Sequence, residues 1–422
     1  MFFYNWLRKP AKRHGRQFTQ SRKSGYRNFE TLEERTVLAG NVTLSLSLGT
    51  LTITGDDLAN NIAIFAGTQP GDIVVEGRVD AATGQATTIN GTPQATFNIT
   101  GPIVIDLRGG NDELTLKNLT SAHSWTINGG EGNDNLSVGM YVAIGGAPDP
   151  NAVDTTLTNA LALHGGNGDD TLFVGRTYGN AAQTITGGEG RDTITVYNNF
   201  AGLFNLNAGA GDDNISIGYL TSVALFTADA GEGNDLLSYY GNRTAQDAYF
   251  YGRGGIDFIA LDVNKYDGNL YADSGDGNDT LLFSRSVGDA NLTPFMYLYT
   301  GLGDDNLLVG KYYAVENGAT VLRNAGSSVY LLQIDLGFGN DTAEIAANVI
   351  TSFALFMGPG NDNVTLASNL VSVLVEVEAD NTVIRESQGP GNDTVRRLNN
   401  SFDVAGSGVV YVDHGVERYL YV

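Results

Sequence analysis

The chain contains no cysteine, which excludes disulfides and thiolate metal sites, though it does not fix the compartment. Histidine is nearly absent: His14, His123, His164 and His414 are scattered, poor material for a histidine-based metal or catalytic site. Proline is scarce, at 9 of 422 residues. No apolar run approaches the ~18 residues of a membrane-spanning helix. Basic residues are thin beyond residue 40, where fifteen Lys and Arg face forty-four Asp and Glu. A body of net charge −29 argues against nucleic acid, whose phosphates need Lys and Arg. It suits cations, basic partners or simple solubility. Nucleophile elbow, phosphate loop and metal-histidine motifs are all missing.

Glycine, by contrast, is abundant at 55 residues, without the G-X-Y period of collagen. Hydrophobic residues make up 42%, enough for a core. The first forty residues stand apart. They carry nine Lys and Arg against three Glu, and no acid lies between Arg8 and Arg27. They lack an uninterrupted apolar h-region, so they are no ordinary signal peptide. Residues 1–40 are expected to be a disordered basic leader.

The rest is organised by a repeat. G-x-G-[polar]-Asp occurs ten times, from GEGND (130–134) to GPGND (389–393). Two further copies, RGGND (108–112) and RGGID (253–257), put Arg in place of the first Gly. The closing residues are Asp112, Asp134, Asp170, Asp192, Asp213, Asp235, Asp257, Asp279, Asp305, Asp341, Asp362 and Asp393. Their spacings (22, 36, 22, 21, 22, 22, 22, 26, 36, 21 and 31) are a base period of 22 with insertions. A period in the low twenties signals a solenoid whose repeats pack on their neighbours.

The flanks agree. Two and four residues after each Asp but the last the chain is apolar, as at Leu136/Val138 and Ile194/Val196. Five and three residues before the first Gly it is apolar again, as at Trp125/Ile127 and Phe204/Leu206. Period two means strands with one buried face. The fold expected is an all-β, parallel β-solenoid of about 22 residues per rung. Strand–crossover chirality makes it right-handed, and the long rung suits a wider, three-faced coil. Residues 41–107 form an irregular N-terminal cap, with a degenerate rung near Gly55–Asn60 and a hairpin excursion over 72–100. Residues 108–397 form the repeat solenoid, interrupted by insertions at 139–156, 311–328 and part of 373–386. Arg397, at a core column, marks the end of the stack, and 398–422 a C-terminal β cap whose strands are VVYV and RYLYV.

The stretches GGEGNDNLS, GGNGDDTLF and GGEGRDTIT match the nonapeptide G-G-x-G-x-D-x-U-x and resemble the RTX family, which binds Ca²⁺ in a parallel β-roll. That resemblance spans roughly 108–393. It implies Ca²⁺ ligands at the twelve Asp above, completed by turn carbonyls such as those of Gly130 and Gly132, or Gly166 and Gly168. The sequence departs from that family in carrying one motif per rung, so only one edge can hold a metal column. Asp257 sits in a weakened motif, with Ile256 at the polar position. FETLEERTVLAG (29–40) resembles the N-terminal LEPR-xLL-type motif of planctomycete-like proteins, which implies an extracellular or cell-surface location.

Electrostatics supports a cation. Carboxylates one rung (~4.8 Å) apart repel by ~3 kcal/mol at an effective dielectric near 20. Ca²⁺, taking six to eight hard oxygens in loose geometry, relieves this better than Mg²⁺. The plainer reading is turn chemistry alone: Asp bonding to amides two residues on, with its carboxylate in water.

The function expected is a secreted or surface structural and adhesive repeat protein, stabilised by calcium, and not an enzyme. Two alternatives remain. One is a carbohydrate-binding or polysaccharide-degrading β-helix. Its face would be Arg243, Arg253, Lys265 and Arg285 with Tyr239, Tyr240, Tyr249, Tyr251, Tyr266 and Tyr271, and its partners surface glycans. The other is a self-associating layer or filament subunit.

Overall fold

A computed structural model describes residues 40–422 except 80–83, 140–154, 180, 200, 221–222, 245, 289–293, 317–318, 368–369, 374–376, 379–393, 399–400, 403–417 and 422. The leader, the insertion core at 140–154, most of 373–386, Asp393 and the VVYV segment lie outside the described residues.

Among the described residues there is no helix, and strands stack in parallel as a β-solenoid of about 11 turns. Each rung has a strand leading into the motif and a strand leaving it. The leading strands pair in register from Thr50–Thr54 through Ile103–Asp106, Trp125–Glu131, Leu161–Asn167 and onward to Val349–Phe356. The leaving strands form a second ladder, from Asn61–Ala66 through Glu113–Leu116 to Thr394–Leu398. Short third strands stack between them, including Arg243–Thr244, Lys265–Tyr266 and Val287–Gly288.

The period-two pattern sets the register. A slip of one residue would turn every Leu, Ile and Val outward. Columns such as Leu136–Leu172–Ile194–Ile215 and Ile127–Leu163–Ile185–Leu206 are fully buried. Each such side chain contributes roughly 1.5–3 kcal/mol of transfer free energy. Bulk is balanced along the axis: Phe250 lies between Ala228 and Ala272, all three buried. Gln183 interrupts a core column, but the Asn199 amide donates to it at 2.6 Å, so its burial is compensated.

The N-terminal rungs are irregular. Asn41–Ser47 pairs antiparallel with Thr50–Thr54, and Asn61–Ala66, Asp72–Gly77 and Gln94–Asn98 form an antiparallel meander. Within 311–328, Lys311–Glu316 and Ala319–Asn324 make an antiparallel hairpin. The stack does not end at Arg397. Arg418–Tyr421 adds another parallel strand, Tyr421 opposite Arg397.

Candidate functional site: a buried carboxylate column

The motif turn is built by its glycines. Gly166 and Gly168 hold φ of 126° and 129°, and a Cβ on either would run into the carbonyl oxygen of Gly130 or Gly132 on the preceding rung. Only glycine permits both the dihedral and the close stacking. The carbonyls of Gly130 and Gly132 thus point along the axis at the next rung's glycines.

The motif Asp side chains do not reach water. Asp112, Asp134, Asp170, Asp192, Asp213, Asp235, Asp257, Asp279, Asp305, Asp341 and Asp362 are all at most 3% exposed. Each Oδ1 accepts the backbone N–H of the corresponding residue on the preceding rung. Asp112 N–H donates to Asp134 at 2.8 Å, Asp134 to Asp170 at 2.7 Å, Asp170 to Asp192 at 2.8 Å and Asp192 to Asp213 at 2.7 Å. The series runs on to Asp362, and at the other end Asn60 N–H donates to Asp112. Asp257 takes its place despite Ile256, with Asp235 N–H donating to it at 2.8 Å. The plain turn reading is corrected in two respects: the amide served lies on the neighbouring rung, not two residues on, and the carboxylate is buried rather than in water.

The second oxygen is different. Oδ2 of Asp112, Asp134, Asp170, Asp192, Asp213, Asp235, Asp257, Asp279 and Asp341 is buried without a hydrogen-bond partner. Burial is the main cause of raised pKa values at every motif Asp from Asp112 to Asp341. Asp134 and Asp192 rise to about 6, Asp170 to about 7 and Asp341 to about 8, in each case partly offset by the neighbouring amide. Charges on adjacent Asp add to the rise at Asp170 and Asp341.

What each Oδ2 faces depends on the residue five before the Asp, which also points inward. In the three full nonapeptides it is the leading glycine: Gly129, Gly165 and Gly187. A Cβ on Gly129 would collide with Asp134 Oδ2 and stand 2.6 Å from the Gly165 carbonyl oxygen. Gly165 is placed likewise against Asp170 Oδ2 and the Gly187 carbonyl, and Gly187 against Asp192 Oδ2 and the Ala208 carbonyl. Gly252 repeats this with Asp257 and the Ser274 carbonyl. Elsewhere a buried side chain stands there, for instance Leu107, Leu336 or Met357. The leading glycine therefore leaves an interior corner where an unpartnered carboxylate oxygen and a main-chain carbonyl converge.

No cluster of three or more His, Cys, Asp or Glu forms among the described residues. A cation here would take main-chain oxygens for most of its shell. The donor set is all hard oxygen, which fits Ca²⁺.

The motif's penultimate residue builds a second, exposed column. Asn133 N–H donates to Asn111, Asp169 N–H to Asn133 and Asn234 N–H to Asp212. A third column, unread in the sequence, lies seven residues after the Asp. Leu220 N–H donates to Asn242 Oδ1 at 2.8 Å, and Asn242 N–H to Asn264 Oδ1 at 3.0 Å. Recurring Asn or Ser at that offset was the available signal.

The single Tyr/Arg face is not assembled. Tyr239 and Tyr266 are wholly buried, their rings in the core. Arg243 and Lys265 pair with Asp267, while Arg285 pairs with Asp262 on the leaving sheet. Tyr249, Tyr271 and Tyr297 do share the outer leading face, but stack on one another at 5.0 and 4.9 Å, nearly parallel. Their ring faces are turned to each other rather than to a sugar. Period two does not say which of two adjacent tyrosines faces in. Comparison with known protein families finds none that matches the chain, and no curated protein is found to match it.

Proposed function

We propose that the chain is a secreted or surface-displayed structural repeat protein, serving as matrix or adhesive module, whose solenoid is stiffened by calcium bound inside the motif corner. Of the twelve motifs, the three consecutive rungs of Asp134, Asp170 and Asp192 are assigned the ion sites, with Asp257 as an outlying fourth. The observation that carries this is the convergence of buried, unpartnered Oδ2 atoms with carbonyl oxygens in corners emptied by Gly129, Gly165 and Gly187. Ca²⁺ would supply positive charge and accept oxygen ligands in a loose geometry. The chain's own residues supply the carboxylates, the rung spacing and the exclusion of water. At rungs closed by Leu107, Leu336 or Met357 the Asp acts as a turn bond alone. Export rests on the leader's resemblance to a surface-protein motif.

An ion that binds only the stacked fold adds to its stability. Thermal unfolding followed by circular dichroism, with Ca²⁺, with Mg²⁺ and with EGTA, tests this. Ca²⁺ should raise the midpoint well above the Mg²⁺ and EGTA values. Coincident curves in all three would overturn the calcium reading.

A further inference from the structure

Outside the carboxylate column, the outer leading face between rungs 231 and 338 is concave, with a groove of about 530 Å³. Its floor is one column of the sheet, Tyr251, Asp273, Tyr299 and Asp335, paired in that order, with Asp229 next below Tyr251 in the same column. Its outer wall is the motif's x position, where Leu302 and Phe338 are 47% and 52% exposed.

The lower part of the floor holds a cation supplied by the chain itself. Arg253 occupies the first motif position, where all but one other copy of the repeat has glycine, and takes a φ of 82° there. Such a backbone is strained for a side-chain-bearing residue and calls for a reason. Its guanidinium lies 4.4 Å from the centroid of the Tyr251 ring. It also pairs with the Asp229 carboxylate one rung below, at 2.6 Å from Nη2 and 3.0 Å from Nε. Carboxylate, ring and guanidinium make one unit, the planar cation stacked on an aromatic face and gripped from the side.

Two rungs further the same unit recurs without its cation. Asp273 stands below Tyr299 as Asp229 stands below Tyr251, and Asp335 stands above Tyr299 as Asp273 stands above Tyr251. The residue two after Tyr299, in the place of Arg253, is Gly301. Asp273 and Asp335 keep one oxygen on a turn amide, those of Gly275 and Gly337; Asp273 feels the charge of Arg253 one rung below, but neither carboxylate forms an ion pair among the described residues. Glu232 and Asp276 stand lower in the same x-position column as Leu302 and Phe338, so that part of the wall is acidic.

We propose that the Asp273–Tyr299–Asp335 unit is a binding site for the guanidinium of an arginine side chain presented by a partner protein. The arginine stem would lie along Leu302 and Phe338, as long basic side chains cover apolar surface while keeping their heads polar. The site is separate from the interior column and independent of the calcium reading.

The test uses the full chain in Ca²⁺-containing buffer at low salt, with tyrosines replaced by 3-fluorotyrosine and Tyr299 assigned by Tyr299→Phe. The probe is a capped Gly-Arg-Gly peptide, and the control its citrulline counterpart, equal in shape but neutral. The arginine peptide should shift the Tyr299 fluorine signal saturably, and citrulline should not. Asp273→Asn with Asp335→Asn keeps both turn bonds and should weaken binding roughly tenfold or more. Gly301→Arg should fill the site from within, as Arg253 does below, and abolish binding. The double Asn variant carries the test alone if Gly301→Arg does not fold. Equal shifts from citrulline, no saturable shift, or unchanged affinity in the double variant would overturn the proposal.

Discussion

Replacing Asp192 by Asn separates the two things its carboxylate does. The Asn side-chain oxygen can still accept the Asp170 N–H that Asp192 Oδ1 takes at 2.8 Å. Its NH₂ group then stands where Oδ2 stood, facing the Ala208 carbonyl across Gly187. Two facing acceptors become a donor and an acceptor. Burial lifts the Asp192 carboxyl from 3.8 to about 6, against the pull of the Asp170 amide and with the push of Asp169. A shift of about two units corresponds to about 3 kcal/mol. The folded pKa lies above the unfolded one, so between pH 4 and 6 the folded chain holds a proton the unfolded chain has lost. This group's contribution is therefore complete below about pH 4, declines as pH rises to about 6, and stays lost above. Asn has no such loss. In EGTA at pH 8 the Asp192→Asn chain should be more stable by up to about 3 kcal/mol, and near pH 4 the two should agree within about 1 kcal/mol. With Ca²⁺ at pH 8 the order should reverse, because a neutral amide is the poorer cation ligand. Hydrogen exchange by mass spectrometry over rungs 161–217 reads this locally, which suits a solenoid that need not unfold as one unit. If the Asn variant is the weaker in EGTA at pH 8, and gains as much from Ca²⁺ as the parent, the reasoning about Oδ2 is wrong.

Gly165→Ala, at a residue without positive φ, sets a Cβ against Asp170 Oδ2 and the Gly187 carbonyl. It should remove that one corner's share, about a third, of the Ca²⁺-induced rise in melting temperature, measured by circular dichroism. Gly168→Ala instead meets both a φ of 129° and the Gly132 carbonyl. It should destabilise by more than about 2 kcal/mol in urea, whether or not Ca²⁺ is present. Asn264→Ala removes the acceptor of Asn242 N–H and the donor to the Tyr239 carbonyl at 2.8 Å. Two buried partners left unmatched should cost about 2–4 kcal/mol in the same assay. Asp341→Asn, on a rung whose corner holds Leu336, should leave the Ca²⁺ increment unchanged in melting experiments; a lost increment there would show that ions bind beyond the corners opened by glycine.

The stacking of rungs was legible because strand period, repeat period and turn chemistry all agree at the same offsets from each Asp. Leu136, Ile194 and Ile215 fall in one buried column because each stands two residues after its motif. The depth of the Asp was not legible. A polar residue in a Gly-rich turn reads as exposed, and only the stacked fold shows a neighbouring rung closing over it. Tyr239 and Tyr240 illustrate a second limit: adjacent tyrosines on a strand go to opposite faces, and hydropathy barely distinguishes them. The leading glycine of GGxGxD is the most instructive case. It looks like one more turn residue, yet Gly129, Gly165 and Gly187 are not at positive φ. Their role is to lack a Cβ beside a carboxylate.

The pairing of polar residues at the motif's end also follows from the stack. A tight turn leaves consecutive amides that no strand ladder satisfies. In this chain those two amides are served in opposite directions along the axis. The amide of Asp134 donates forward, to Asp170 on the next rung, while the amide of Asn133 donates back, to Asn111 on the rung before. Two acceptors are therefore needed per turn, one inside and one outside, which accounts for [Asn/Asp]-Asp rather than a lone Asp. The outer bond is the dispensable one. Arg191 and Ile256 carry no acceptor for the next rung, and the inner series passes through both without a break, as Asp192 and Asp257 keep their bonds. Exposed amides can turn to water when the outer acceptor is missing; the buried ones cannot, so the inner Asp is the residue that a rung must retain whether its corner holds a proton or an ion.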